Sequence, residues 1–181
     1  MLIFLGIKTD YTLLKSLIKI PDLISFAQEK NITTLGILDE NLSGSIDFYD
    51  ATTKANIKPI IGLDCLILDQ HIYLYAQNYA GYKNLLKINT LIGTETLDIT
   101  ELKKYLSDVI VVLPFASKSY QKEFATDCLL YFSYQNKKEK EILQELSSNL
   151  VYINPTNSLN KEDKYCFEIL DCFFFFFQAE D

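Results

Sequence analysis

The sequence contains no arginine, no tryptophan and only one histidine, His71. A bidentate guanidinium grip on phosphate or on a guanine base is therefore excluded, because only arginine offers that planar pair of donors. A metal site with several imidazole ligands is excluded by the single histidine. Acidic residues outnumber basic ones, 24 to 17, and the pI is about 4.8, which argues against a basic nucleic-acid-binding surface.

Long hydrophobic runs and paired cysteines are missing as well. No apolar run approaches the roughly 20 residues that a membrane-spanning helix needs, and the apolar start lacks the basic region of a signal peptide. The four cysteines form no CxxC pair, which favours reduced thiols over disulfides or a metal site. The 181 residues, 49% of them hydrophobic, predict a soluble, cytoplasmic globular protein of one domain.

Short β-branched runs alternate along the chain with longer amphipathic stretches. This alternation predicts an α/β fold, with a largely parallel sheet or barrel and helices outside it. In the second helix, apolar spacing predicts that Ile46, Tyr49 and Ala51 face inward. The predicted strands cover residues 2–7, 34–38, 59–68, 72–76, 109–113, 128–133 and 150–153, the third and fourth as a hairpin. The predicted helices cover 21–30, 44–55, 80–92, 117–125, 137–146 and 161–170, with a further short helix that Asp98 or Thr100 caps and that ends at Tyr105.

Residues 173–181 break the alternation. Five consecutive phenylalanines at 173–177 suit neither an amphipathic helix nor a half-buried strand, and in solvent they would form an adhesive patch. We interpret this tail as non-native, adapter-like read-through, and the domain as residues 1–172. The alternative is a genuine buried strand whose partners have been cut off. Both interpretations predict that the chain is a fragment of a longer one.

Four segments carry a resemblance to a known family: residues 7–14 (IKTDYTLL), 35–49 (LGILDENLSGSIDFY), 57–64 (IKPIIGLD) and 76–87 (AQNYAGYKNLLK). In this order they resemble the PHP domain (polymerase and histidinol phosphatase) at the N-terminus of bacterial DNA polymerase III alpha subunits. IKPIIG followed by GYKNLLK is the most specific pair. The resemblance implies a distorted (β/α)7 barrel over residues 1–172, which truncation would leave incomplete at the C-terminus.

The resemblance also implies a function for the parent chain. That chain would be a DNA-directed DNA polymerase, a nucleotidyltransferase of replication, with Mg²⁺ in a palm domain outside these residues. The implied partners are the remainder of the polymerase chain and replisome or proofreading subunits, with DNA reached through the missing domains and no membrane. Whether the parent is a main replicase or an error-prone polymerase stays open.

Active members of the family hold up to three metal ions at the C-terminal strand ends through histidines and carboxylates. Most of those positions are substituted here, and the vestigial metal-site positions are Phe4, Gly6, Lys8, Asp39, Asp64 and Asn157. Phe4 and Gly6 fall on the first His-x-His motif, Lys8 on the next histidine, and Asn157 on a late one. We therefore predict a structural domain without a metal, cofactor or catalytic residue. Weak Mg²⁺ binding through Asp39, Asp64 and either Asp10 or Glu40 stays open, as does neutralisation of these carboxylates by Lys8.

Two further features have plain interpretations. His71 lies outside the ligand motifs and is predicted to be a solvated turn residue, and Asp10 or Thr12 is interpreted as a turn cap rather than as part of a functional loop. The alternative function is a standalone metal-dependent phosphoesterase of the histidinol phosphatase kind. It would need the missing histidines, and the gene sequence beyond position 172 discriminates the two.

Overall fold

The computed structural model describes residues 3–94, 97–124, 128–160, 163 and 165–167. The tail over 173–181 and Cys172 lie outside the described residues, and the helix predicted over 161–170 is described only in part, with 165–167 helical. The strands are β1 Phe4–Ile7, β2 Thr34–Asp39, β3 Lys58–Ile67, β4 Gln70–Ala76, β5 Val109–Pro114, β6 Leu129–Tyr134 and β7 Leu150–Tyr152. The helices are α1 Ile20–Glu29, α2 Ser45–Lys54, α3 Tyr79–Gly93, α4 Ile99–Lys103, α5 Gln121–Phe124 and α6 Lys137–Gln144, with a 3₁₀ helix at Phe115–Tyr120.

All seven strands form one mixed sheet in the order of the chain. β1, β2 and β3 run parallel, β4 is antiparallel to both of its neighbours, and β5, β6 and β7 run parallel again. The sheet curls, and Thr156 just after β7 forms a parallel bridge with Ile7 in β1. Two hydrogen bonds of 2.8 Å hold this junction, from Lys8 N–H to the Thr156 carbonyl and from Thr156 N–H to the Gly6 carbonyl. The predicted α/β barrel architecture is confirmed.

A small apolar layer fills the concave side of the sheet. Its buried members are Leu38 in β2, Tyr73 and Tyr75 in β4, Val112 in β5, and Ile153 just after β7. The Tyr75 hydroxyl in β4 donates a 2.8 Å hydrogen bond to the Leu5 carbonyl in β1, although two strands separate β4 from β1 in the sheet. The helices cover the opposite face over two larger apolar clusters. Alternate residues of each strand thus serve different layers, as the two-residue period of a strand requires.

The predicted hairpin between β3 and β4 is confirmed. Ile67 pairs with Gln70, so the turn contains only Leu68 and Asp69, both left-handed with φ of 48° and 60°. Two consecutive residues with positive φ are the geometry of the type I′ turn, whose twist matches that of the flanking strands. The turn is shorter than the sequence suggests, because neither residue is the asparagine or glycine that usually marks it.

The predicted inward face of α2 is wrong for two of its three residues. Ile46 and Tyr49 are exposed, whereas Phe48 is fully buried beside Ile37 and Ile57 in a helix-covered cluster. Ser45 and Thr52, on the same face as Phe48, are also buried. A helix has one face at spacings of three and four residues, and the bulk of Phe48 decides which face packs inward. Ala51 is partly buried, as predicted.

Side-chain caps fix where three helices begin. Asn78 accepts hydrogen bonds from Ala80 and Gly81 N–H at the start of α3, and Asp98 accepts one of 2.7 Å from Glu101 N–H at the start of α4. Asn136 caps α6 in the same way. A Cβ on Gly81 would overlap the Asp108 carbonyl oxygen, which explains the glycine in the GYKNLLK segment. No helix among the described residues is long and apolar enough to cross a membrane.

Candidate functional site

Polar side chains from four strands meet at one end of the barrel. Lys8 directly follows β1, Glu40 directly follows β2, and Asp64 lies within β3. These three strands are parallel, so their C-terminal ends lie at the same end of the barrel, where sites of such barrels occur. β4 runs the opposite way, and its second residue, His71, therefore reaches the same end. We call Lys8, Lys15, Glu40, Asp64 and His71 the mouth cluster.

Lys8 is the centre of the mouth cluster. Its ammonium lies 3.0 Å from Asp64 Oδ2 and 2.9 Å from Glu40 Oε1, with side-chain exposures of 12% for Lys8 and 2% for Asp64. Burial alone would lower the pKa of Lys8, but the charges and hydrogen bonds of Asp64 and Glu40 outweigh it and raise that pKa. Lys8 therefore remains charged, and its charge balances a carboxylate that is almost completely removed from water.

Glu40 extends this chain of charges to the surface. Its other oxygen, Oε2, accepts a 2.7 Å hydrogen bond from Lys15, whose side chain is mostly exposed. Burial raises the pKa of Glu40, but the bonds from Lys15 and Lys8 more than offset it and hold the pKa below its usual value. Positive and negative groups thus alternate from Asp64 in the interior to Lys15 in solvent. Neutralisation by Lys8, which the sequence left open, is thus present for Asp64 and Glu40.

His71 is part of this site, and its prediction as a solvated turn residue is wrong. The imidazole Nδ1 lies 2.7 Å from Asp64 Oδ1, and the ring is about half exposed. The antiparallel register pairs His71 with Leu66, which places Asp64 as its diagonal neighbour on the same face. The short Leu68–Asp69 turn puts His71 in the strand instead of the loop. Register across a hairpin carries no simple sequence signal, so sequence reasoning missed this contact.

Asp39 has a different role from the mouth cluster. It is fully buried at the end of β2, and its Oδ1 accepts hydrogen bonds of 2.6 Å from both Thr9 N–H and the Thr12 hydroxyl. Its Oδ2 accepts a 2.7 Å bond from the Thr9 hydroxyl. Burial raises the pKa of Asp39, and the bonds from Thr12 and Thr9 offset only part of that rise. Asp39 therefore anchors the loop between β1 and α1, and Thr12 belongs to this anchor instead of capping a turn alone.

The other positions predicted to be vestigial metal-site positions do not join the mouth cluster. Phe4 packs against the helix-covered apolar cluster, and Gly6 is buried where a Cβ would lie 2.9 Å from Ile153 Cγ2 and 3.0 Å from the Asn154 carbonyl oxygen. A larger side chain at Gly6 would require the segment after β7 to move. Asn157 is exposed, and its backbone carbonyl accepts hydrogen bonds from Leu17 N–H and the Ser16 hydroxyl.

These residues do not fit a divalent metal ion. The Lys8 ammonium already bonds to both Asp64 and Glu40, and a cation between those oxygens would have to displace it. Both oxygens of Asp39 accept hydrogen bonds from threonines. Across the described ranges, no group of three or more histidine, cysteine, aspartate or glutamate side chains is arranged to hold a metal. The arrangement is chemically an ion-pair network.

The single imidazole makes the charge of this site measurable. We expect the pKa of His71 to lie above its ordinary value of 6.5, because the hydrogen bond to Asp64 favours the protonated ring more strongly than burial and Lys8 oppose it. A ¹H–¹⁵N NMR titration observes this one ring without overlap. Asp64→Asn is the control and should return the pKa towards 6.5. A wild-type pKa at or below 6.5, or one that Asp64→Asn leaves unchanged, contradicts the role of this contact.

Comparison with known proteins places the chain in a family. The PHP domain profile matches residues 5–158. The DNA polymerase III subunit alpha of Borreliella burgdorferi is 28% identical over 94% of the chain and 19% of its own length, and that of Aquifex aeolicus is 26% identical over 93% and 19%. The Ureaplasma parvum subunit is 34% identical over 62% of the chain and 12% of its own length.

The chain spans about a fifth of the length of the two relatives that it matches almost throughout. The matched residues begin in β1 and end just past the junction of Thr156 with Ile7, so they contain all of the sheet except Phe4, and the whole mouth cluster. Because the profile covers most of the sequence, the chain belongs to the PHP domain family.

Proposed function

We propose that this chain is the N-terminal PHP domain of a DNA polymerase III alpha subunit, and that it serves its parent as a structural domain. The relatives named above are DNA polymerase III alpha subunits, and the two that match almost the whole chain are each about five times as long as the matched region. The parent would carry out template-directed DNA synthesis, with its Mg²⁺ ions and catalytic carboxylates in the part of the polypeptide beyond these residues. The partners of this domain would then be the rest of that polypeptide and the subunits bound to it.

One observation carries the structural assignment: a lysine ammonium lies between the two carboxylates of the mouth cluster. Asp64 is the most buried of the acidic groups there, and it is neutralised from one side by Lys8 and from the other by His71. A phosphoesterase needs a metal ion that activates water at such a position. A tethered ammonium supplies charge but no site for a bound water. The mouth cluster therefore connects β1, β2, β3 and β4 and supports no hydrolysis in this proposal.

We expect the purified chain to contain no stoichiometric divalent metal and to show no hydrolysis of 3′-ends of DNA. Metal content is measured by mass spectrometry after dialysis against Mn²⁺, Zn²⁺ or Mg²⁺, and hydrolysis is followed on a labelled single strand with and without EDTA. Circular dichroism confirms that the sample is folded. The matched control is Asp64→Asn, because activity that survives it comes from a contaminating nuclease.

The opposite result has a clear meaning. Stoichiometric metal together with EDTA-sensitive hydrolysis that Asp64→Asn abolishes would overturn the structural assignment and revive the metal-dependent phosphoesterase. The reading frame beyond the chain tests the parent separately. A frame that continues into a polymerase supports the proposal, whereas a stop shortly after the chain removes its basis.

A further inference from the structure

Three leucines on the loop between β1 and α1 face solvent. Leu13 is 78% exposed, Leu14 is 53% exposed, and Leu17 is also among the exposed apolar residues. Single exposed leucines are common, but three within five residues of one loop form a local apolar surface. We call Leu13, Leu14 and Leu17 the leucine ridge. None of them takes part in the mouth cluster.

The backbone beneath the leucine ridge is held in place. Thr12 N–H bonds to the Thr9 carbonyl and Lys15 N–H to the Thr12 carbonyl, which makes two successive turns with Leu13 and Leu14 at the second. Thr9 and Thr12 are tied to buried Asp39. Leu14 adopts a φ of 62°, a left-handed conformation that leucine avoids unless its surroundings impose it. The loop therefore presents its leucines in a fixed arrangement.

The leucine ridge lies beside the segment that follows β7. After β7, Thr156 bridges to Ile7, and the Asn157 carbonyl accepts hydrogen bonds from Leu17 N–H and the Ser16 hydroxyl. Leu159 then packs against the apolar cluster under the same loop. Residues 156–159 thus run beside the loop that carries the leucine ridge, and in the relatives about four-fifths of the length lies outside the matched region.

We propose that the leucine ridge is the docking surface for the part of the parent polypeptide that follows this chain, through apolar side chains of that part. This inference rests on the proposed function, because it needs a parent that continues. Only 22 residues, 160–181, follow Leu159 in this chain, so polypeptide that continues from there is tethered near the leucine ridge at a high effective concentration. Docking buries the three leucines and fixes the domain relative to the rest of the polymerase.

The test uses the full-length parent with the photo-crosslinker p-benzoylphenylalanine at position 13. After irradiation, mass spectrometry should find intramolecular crosslinks from position 13 to residues beyond this chain, at least about tenfold more than from the same label at position 129. Leu129 is a matched control because it is 51% exposed and begins β6, at the opposite rim of the barrel.

Each other outcome overturns the docking surface. Crosslinks from position 13 to a second copy or to another subunit, such as a proofreading exonuclease, assign the leucine ridge to that partner. No crosslink, or equal crosslinking from position 129, shows that the leucine ridge is not covered. A reading frame that stops after this chain defeats the proposed function and this inference together, whereas a continuing frame without the crosslink defeats only the inference.

Discussion

Replacing Asp39 with alanine is expected to lower the free energy of unfolding by about 3 kcal/mol. The substitution leaves Thr9 N–H and two threonine hydroxyls without their acceptor in a buried place. Hydrogen bonds to a charged group contribute about 1.5–3 kcal/mol each, and the cost of burying the charge offsets part of their sum. Since small domains are stable by about 5–15 kcal/mol, this change removes a large share. Urea unfolding followed by circular dichroism measures it.

The control for Asp39 is Asp50→Ala, on the exposed side of α2. A surface change of this kind should alter stability by no more than about 0.5 kcal/mol. If Asp39→Ala is as mild as Asp50→Ala, the three hydrogen bonds do not anchor the loop. A second check is Thr12→Val, which removes one hydrogen-bond donor to Asp39 and should lower the free energy of unfolding by about 1 kcal/mol.

Replacing Lys8 with methionine is expected to cost about 3 kcal/mol, because removal of one partner leaves a buried carboxylate without its countercharge. The remaining partner of Asp64 is His71, so the loss should depend on pH. The raised pKa of His71 means that the protonated ring contributes stability that is fully present below its ordinary pKa and is lost as the pH rises through the raised one. Lys8 lowers the pKa of His71. Without Lys8 that pKa should rise further, and the free energy of unfolding should depend more steeply on pH.

The measurement compares urea unfolding of Lys8→Met and wild type at about pH 6 and about pH 9, on either side of the histidine range. The deficit of the variant should be larger at the higher pH, where the imidazole no longer balances Asp64. Lys15→Met is the matched control, because Lys15 pairs with Glu40 at the surface and such pairs contribute only about 0–1 kcal/mol. Equal losses for the two lysines, or a deficit independent of pH, would show that Lys8 is not the countercharge of Asp64.

The spacing of apolar residues along the sequence was sufficient to predict most of the strands and helices. Apolar alternation located each of the seven strands to within a few residues. Of the two candidate caps for α4, Asp98 and Thr100, Asp98 is the one that caps the helix. The face of α2 was mispredicted because Ile46, Tyr49 and Phe48 are all apolar, and a pattern alone does not say which of them the sheet can accommodate. Packing against Ile37 and Ile57 decides it.

The sequence identified individual residues of the site but not the hydrogen bonds and ion pairs between them. Lys8, Asp39 and Asp64 were singled out one at a time, by position along the chain. His71 reaches Asp64 because the hairpin turn has only two residues, neither of them glycine. Asp39 accepts hydrogen bonds from Thr9 and Thr12 because the loop after β1 folds back over it. For the hydrogen bonds that hold the loop to Asp39, the sequence offered one signal. Two threonines, Thr9 and Thr12, lie three residues apart in the loop, and an aspartate ends the next strand.

The junction of Ile7 with Thr156 sets an order on folding during synthesis. About 150 residues separate these two positions, so the free side of β1 has no partner until almost the whole domain has left the ribosome. At translation rates of roughly 5–20 residues per second, that interval lasts roughly 7–30 s. An unpaired strand edge is the usual template for wrong pairing with other chains. The newly made polypeptide therefore depends on the segment just after its last strand to protect its first strand, and a ribosome that stalls before residue 156 has emerged leaves this edge of β1 exposed.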